Sequence, residues 1–254
     1  MPYVRRARQD SSPAVVPLLL ASVAFSLLAV VYRRRTAPRR MSRVTTNVSP
    51  DAALPAAPAV HDTDVRSVYG GTGCIFHRRY EIALAGVALR NDEVLRLMQR
   101  HLADLAPSML AHFEKTTGSD TGLRVGDEYE ITMLGPWNGL VRVVESTFES
   151  FTLATLDGHP EVGHITFSVV HSAEATDPLI VRIESWARAR DALVAAAYGK
   201  IGIGKQMQTE AWITFLQRLS ALAGVKETPE VHIIDEEIPA DDEGAADAPR
   251  APHD

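Results

Sequence analysis

The sequence predicts an α+β fold, in which a curved antiparallel sheet of about six strands wraps round a long C-terminal helix. Two short helices follow the first strand. Three observations predict this fold: segments of alternating polar and apolar residues recur between positions 65 and 226, the connections between them are short, and an apolar pattern of helical period follows the last one. Short connections favour antiparallel pairing, and a sheet with one apolar face must bury that face, here against the helix.

The first strand is predicted at residues 74–84, and the two short helices come after it. The first helix begins at Asn91, a good N-cap residue that is followed by two acids in the first turn. Pro107 interrupts the apolar pattern, and Ser108 can cap a second helix, which Gly118 is expected to end.

The rest of this region holds the other strands and the long helix. The motif GPWNG at 135–139 predicts a hairpin turn, since Asn138 and Gly139 readily adopt positive φ. A helical pattern runs from 188 to 223. The five strands are expected at 123–134, 139–146, 151–156, 163–171 and 178–187. This order is that of the helix-grip fold, which can leave a cavity between its sheet and its helix.

The N-terminal segment, 1–43, is predicted to anchor the chain in a membrane. Residues 13–32 carry no charge, and a helix of that length matches the roughly 30 Å hydrocarbon core of a bilayer. A cleaved signal peptide is the alternative, but arginines rather than a cleavage site follow the apolar run. Three arginines precede the run and six follow it by position 43, so the positive-inside rule predicts a single-pass protein with its folded domain in the cytoplasm.

The predicted folded domain spans 65–226 and lies between two flanking segments. Residues 44–64, rich in Ala and Pro, are expected to form a flexible linker, and 227–254 an acidic disordered tail. Nine arginines fall in 1–43 and ten acids in 227–254, which leaves the domain mildly acidic. That balance argues against nucleic acid as a partner, and the single cysteine excludes an intrachain disulfide.

The segment LATLDGHPEVGHITF, 153–167, holds the candidate site residues. His159, Glu161 and His164 are possible zinc ligands. Side chains alternate along a strand, however, so Glu161 shares a face with Ile165 whereas His164 points the other way. One ion cannot readily reach both histidines, and neither a metal nor a cofactor is predicted.

Two interpretations of His159 and Glu161 remain open. A partly desolvated Glu161 at the rim of a cavity could act with His159 in acid–base catalysis. Alternatively, the pair only shapes the turn DGHP through bonds to the backbone. His159 and Glu161 are also candidate ligand-binding residues, together with Trp137 and Tyr198. Trp137 could fold onto the core, guard a cavity mouth or touch the membrane.

The runs GDEYEI, GPWNGLVRVVE and FTLATLDGHPEVGHITFSV resemble DUF1990, a family of uncharacterised proteins. The family signature G-H-P-E-x-G matches Gly158, His159, Pro160, Glu161 and Gly163. The resemblance covers about residues 68–224. Members more often carry an acid after the last glycine, where this chain has His164. The resemblance implies a fold similar to the helix-grip superfamily of lipid-transfer and polyketide-cyclase-like proteins, and it implies no function.

Three functions are consistent with these features. The first is a membrane-tethered module that binds a hydrophobic small molecule or lipid between sheet and helix without catalysis. The second is a cyclase- or hydrolase-like enzyme that uses Glu161 and His159. The third is a structural or interaction protein with a filled core.

Overall fold

The computed structural model describes residues 41–47, 64–108, 110–119, 121–133, 138–170, 178–195 and 203–239, all within the unit Arg40–Asp254. The predicted transmembrane helix at 13–32 and the candidate residues Trp137 and Tyr198 lie outside these ranges. Within them, none of the helices has the length and apolar character needed to cross a bilayer.

Nine strands form a single sheet in the order β1-β9-β2-β8-β7-β6-β5-β4-β3. The neighbours pair antiparallel, except that β1 and β9 are parallel. The strands are β1 Met41–Asn47, β2 Thr72–Leu84, β3 Ala111–Thr117, β4 Glu128–Met133, β5 Asn138–Ser146, β6 Ser150–Thr155, β7 Glu161–Val170, β8 Leu179–Ala189 and β9 Val231–Ile238.

Three α-helices with described bounds accompany the sheet: α1 Asn91–Arg100, α2 Leu102–Leu105 and α3 Ile203–Leu222. A 3-10 turn spans Val68–Gly70, and residues 192–195 are also helical. The first begins one residue after its cap, Arg90, whose backbone N–H donates to the Glu93 carboxylate at 2.8 Å. The face of the sheet that α3 covers is called the inner face, and the opposite one the outer face.

The apolar core lies between the inner face and the helices. Phe167 of β7 meets Phe215 of α3 with ring centroids 5.4 Å apart, and the Tyr80 hydroxyl of β2 lies 3.4 Å from Thr209 Oγ1. Strand alternation explains this placement, because Tyr80 and Ile82 are buried while Glu81 between them turns to the outer face. Removal of these aromatic and aliphatic groups from water is the main stabilising term.

The sequence prediction was wrong about the second helix. Residues after Ser108 form the edge strand β3, paired with β4, and the second helix is the single turn α2. Phe113 is buried whereas His112 and Glu114 are exposed. Burial therefore alternates every two residues, as in a strand, and not with the 3.6-residue period of a helix. Pairing with β4 outweighs the weak local helix preference of a short segment.

The long helix also begins later than predicted. Residues 188–189 still belong to β8, where Ala189 pairs with Glu161 of β7 and with Thr72 of β2. The alanines favour helix locally, but β8 is a central strand whose pairing on both sides decides its conformation.

Two further strands lie where the sequence predicted flexible or disordered chain. Residues 231–238 form β9 within the predicted acidic tail, and β1 crosses the predicted boundary between anchor and linker. Together with β3 they extend the predicted six strands to nine. The strand β9 is stable because Val231 and Ile233 are buried and because its acids meet cations: Asp235 contacts Arg43 of β1 and Arg78 of β2.

On the outer face, His77 of β2 joins β9 to β8. Its Nδ1 lies 2.5 Å from Glu236 Oε2, its Nε2 lies 2.7 Å from Glu184 Oε1, and its ring stacks on Trp186 with centroids 3.8 Å apart. These contacts add to the ladder hydrogen bonds that hold β9 in the sheet.

Candidate functional site

The turn between β6 and β7 holds His159 in a closed position. Gly158 takes the positive φ of 87° that the turn requires, which is easy only for glycine. The His159 ring is buried, and its Nδ1 lies 2.8 Å from the carbonyl oxygen and 3.0 Å from the amide nitrogen of Glu161. His159 therefore contacts the backbone of Glu161 rather than its carboxylate.

The other edge of the His159 ring packs on Gly139 of β5. A Cβ atom at Gly139 would lie 2.1 Å from His159 Cδ2 and 2.4 Å from Nε2. The predicted antiparallel pairing of β4 with β5 is confirmed, but Gly139 and Asn138 do not adopt the predicted positive φ. They pair with Ile131 and Thr132 in the strand ladder. Gly139 is therefore required for the close approach of His159 and not for a turn.

Gly139→Ala is expected to destabilise the domain by about 1–3 kcal/mol, because the added methyl group would overlap the His159 ring. The measurement is urea unfolding followed by circular dichroism. Gly70→Ala in the same assay is the control, because Gly70, like Gly139, does not have positive φ, but an added Cβ would meet open space there. A Gly139→Ala variant as stable as the native protein would contradict the packing described for His159.

Burial lowers the pKa of His159 to about 4; its hydrogen bond to the Glu161 carbonyl opposes this effect, and the nearby charge of Arg190 adds to it. The unfolded chain, with an ordinary histidine pKa near 6.5, takes up a proton first as the pH falls. The contribution of neutral His159 is therefore complete above about pH 6.5 and is lost as the pH falls toward 4, in total roughly 3 kcal/mol. His159→Asn is expected to flatten the stability profile between pH 7 and 4; an unchanged slope would contradict this assignment.

Glu161 begins β7, and its side chain lies on the inner face. Gln208 Nε2 of α3 donates to Glu161 Oε2 at 2.6 Å. Burial raises the pKa of the Glu161 carboxyl, while the charge of Arg78 and the Gln208 hydrogen bond oppose that shift. His164 pairs with Trp186 and lies on the outer face, as strand alternation predicts.

Glu161 belongs to a polar group on the inner face, the Arg78 cluster, which consists of Arg43, Arg78, Glu161, Gln208 and Asp235. Arg78 is buried, Arg43 is exposed and the other three are partly exposed. Arg78 Nη1 donates to Gln208 Oε1 at 2.5 Å, and Arg78 Nε donates to Asp235 Oδ1 at 3.2 Å. Arg43 forms a second ion pair with Asp235. Arg78 of β2, a residue that is 3 % exposed, is thus bonded directly to β9 and α3, while β1 is joined through Asp235 and β7 through Gln208.

The electrostatics of the cluster follow from its contacts. Burial works to raise the pKa of Asp235, but the hydrogen bonds and charges of Arg43 and Arg78 outweigh burial and lower it. Asp235 is therefore ionised at neutral pH and balances Arg78. A buried arginine is stable only with such partners.

The Arg78 cluster marks a change in the packing of the inner face. Along β8, Val181 and Ile183 are fully buried, whereas Ser185, Ala187 and Ala189 on the same face are partly exposed. Ser185 lies opposite Arg78, at the point where the change occurs. These side chains are small, so the inner face is less completely covered at this end of the strand.

Sequence reasoning identified one of the five members of the cluster, Glu161, and missed the other four for separate reasons. Arg43 was assigned to the membrane anchor. Arg78 carried a signal, because its parity with Tyr80 and Ile82 places a charged residue on an apolar face. Asp235 was assigned to a disordered tail, and Gln208 is one polar position in a long helix. No combination of three or more His, Cys, Asp or Glu side chains among the described residues is arranged to hold a metal ion.

Comparisons with solved structures find weak overall likeness. Truncated norcoclaurine synthase from Thalictrum flavum is 13 % identical, with a TM-score of 0.42, over 66 % of this chain and 100 % of that one. A conserved protein from Geobacillus kaustophilus is 13 % identical, with a TM-score of 0.39, over 62 % and 99 %. Protein Ms6760 from Mycobacterium smegmatis is 15 % identical, with a TM-score of 0.37, over 65 % and 98 %. Likeness at this level carries no information on what the chain binds.

The curated proteins contain no significant match to this sequence. A family model does match: DUF1990, described as a domain of unknown function, covers residues 87–218. That range includes the turn with His159 and Glu161 and extends from α1 to α3, and it confirms the resemblance seen in the G-H-P-E-x-G signature. The match spans just over half of the chain, and the protein belongs to the DUF1990 family.

Proposed function

We propose that this protein binds a hydrophobic small molecule or lipid between the inner face and α3, without catalysing a reaction. The observation that carries the proposal is the change along β8, from fully buried Ile183 to partly exposed Ser185 and Ala187, at the level of the Arg78 cluster. A partly covered apolar face beside a few convergent polar groups is typical of small-molecule sites.

The chemistry of the cluster suggests an amphipathic ligand. A guanidinium has five N–H donors, and among the described residues Asp235 and Gln208 engage Nε and Nη1 of Arg78. The donors that remain would suit an oxygen-bearing head group. The apolar body of the ligand would lie along the small side chains of β8, near the Phe76 ring, which is 5.3 Å from the Arg78 guanidinium carbon.

The predicted membrane tether of the chain would assist this function. An uncharged run at 13–32, followed closely by arginines, would hold the domain at the cytoplasmic side of a membrane. A lipid-binding domain so placed would stand next to a pool of its ligand.

Acid–base catalysis through Glu161 is the second candidate, and the raised pKa of its carboxyl is the observation that favours it. The position of His159 does not support a paired mechanism, since its Nδ1 contacts backbone. Glu161→Gln distinguishes the two functions. Conversion of the co-purified ligand by the native protein, lost in a variant that still retains the ligand, would favour catalysis.

A matched pair of substitutions tests the binding site. Ser185→Leu adds bulk on the inner face beside Arg78, and Ser168→Leu adds the same bulk on the outer face, opposite Arg182. In native mass spectrometry of the full-length protein expressed in several hosts, we expect the native chain and Ser168→Leu to carry a lipid-like ligand and Ser185→Leu to lose it. Equal ligand occupancy in both variants, or no ligand from any host, would contradict the proposal and favour a filled core.

A further inference from the structure

A concave site, the arginine groove, lies between the C-terminal half of α1 and the segment 121–124, and it contains no member of the Arg78 cluster. It has a volume of about 320 Å³. Arg96 and Arg100 line it from α1, one helical turn apart, and Arg124 lines it from the facing segment. Gln99, Thr121 and Leu123 also line the groove.

The charges of the groove are incompletely balanced. Arg96 forms an ion pair with Asp92 at 2.7 Å, so one positive charge is offset. Among the residues that the structure describes, neither the Arg100 nor the Arg124 guanidinium has a carboxylate within ion-pair distance, and no acidic side chain lines the groove. Two guanidiniums therefore face a concave surface with no counter-charge from the described residues.

The segment that carries Arg124 is held in place by a buried ion pair. Lys115 Nζ donates to Asp127 Oδ2 at 2.7 Å, to the Ser119 carbonyl at 2.9 Å and to the Gly122 carbonyl at 2.7 Å. Asp127 Oδ2 also accepts the backbone N–H of Arg124 at 3.0 Å. Arg124 is thus presented by an ordered backbone, which lowers the entropy cost of binding a ligand there.

We propose that the arginine groove binds a phosphate monoester. Two unbalanced guanidiniums match the charge of about −2 that a phosphate monoester carries at neutral pH, and their planar donors suit phosphate oxygens. The Gln99 amide and the Thr121 hydroxyl supply further donors, and Leu123 forms an apolar floor for the group esterified to the phosphate. A soluble phosphate ester and a lipid with a phosphate-monoester head group share this chemistry.

Calorimetric titration of the full-length protein in phosphatidylcholine nanodiscs tests the site, with inorganic phosphate as the first probe. We expect binding that weakens with added NaCl and that falls at least about tenfold in the double variant Arg100→Gln/Arg124→Gln, since two charge-assisted contacts are lost. The control is Lys226→Gln, which removes one exposed positive charge outside the groove and should bind phosphate like the native protein.

A second probe distinguishes the source of the phosphate. Dihexanoyl phosphatidic acid that binds more tightly than inorganic phosphate would identify a lipid head group; binding no tighter than phosphate would identify a soluble ester. Either outcome supports the proposal that the arginine groove binds a phosphate group. No binding of either probe, or equal binding in the native and double-variant proteins, would overturn it. Both arginines are exposed, so the double variant should keep its melting temperature. If its melting temperature falls, phosphate binding by Arg124→Gln is compared with that of the native protein instead, and equal binding would overturn the proposal.

Discussion

Truncation of the chain after Glu230 is expected to abolish cooperative folding, although the sequence predicts a disordered tail from residue 227. The truncation removes β9, whose buried Val231, Ile233 and Ile238 each contribute roughly 1.5–3 kcal/mol by burial. It also separates β1 from the sheet, exposes the edge of β2 and removes the carboxylate partner of buried Arg78. These losses together are comparable to the whole stability of an ordinary domain, about 5–15 kcal/mol.

Thermal unfolding followed by circular dichroism, with the soluble fraction after expression, measures this effect. Truncation after Ala240 is the control, because it retains β9 and every contact described for that strand. We expect the longer chain to melt like the full-length protein and the shorter chain to be insoluble or to lack a transition. Matching melting curves would show that β9 does not contribute to the fold.

Arg78→Met is expected to destabilise the domain by about 3–5 kcal/mol. Methionine preserves much of the volume, so the loss is electrostatic rather than a cavity effect. Removal of the guanidinium leaves Asp235 with Arg43 alone, and it leaves Glu161 without the positive charge that opposes the rise of its pKa. Equilibrium urea unfolding gives the difference in the free energy of unfolding.

Arg79→Met is the matched control for Arg78→Met. Arg79 is the next residue on the same strand and also contacts a carboxylate, Glu184 at 3.1 Å, but it lies on the outer face and is about one-third exposed. Its replacement is expected to cost about 1 kcal/mol or less, because solvent screens the pair. Adding Asp235→Asn to Arg78→Met should recover part of the stability; no recovery would mean that unpaired charge is not the cause of the loss.

Much of the sheet could be predicted from local pattern alone. The strands β4 to β8 alternate polar and apolar residues with short connections, so each segment carries its own signal. The strand β9 carries no such signal, because its acidic residues resemble those of a solvated tail. Asp235 becomes compatible with a strand through Arg78 and Arg43, which are 157 and 192 positions away in the sequence. Local composition cannot report a charge partner at that distance.

The candidate site was predicted only in part, because its contacts also join residues that are far apart in the sequence. Strand parity places Glu161 on the inner face and His164 on the outer face, since that inference needs only neighbouring residues. The contacts of Glu161 depend on Gln208 and Arg78, which the fold brings from distant segments. Close packing of His159 on Gly139 is likewise a tertiary contact, and the glycine alone resembled a turn residue.

The most direct test of the central claim is a crystal structure of the full-length protein purified without delipidation. The account predicts electron density for an amphipathic molecule between β8 and α3, with its polar end within about 3.2 Å of the Arg78 guanidinium and its apolar body along Ser185 and Ala187. Density at that position should disappear in Ser185→Leu and persist in Ser168→Leu. A space filled by the protein's own side chains, or a ligand bound elsewhere on the domain, would contradict it.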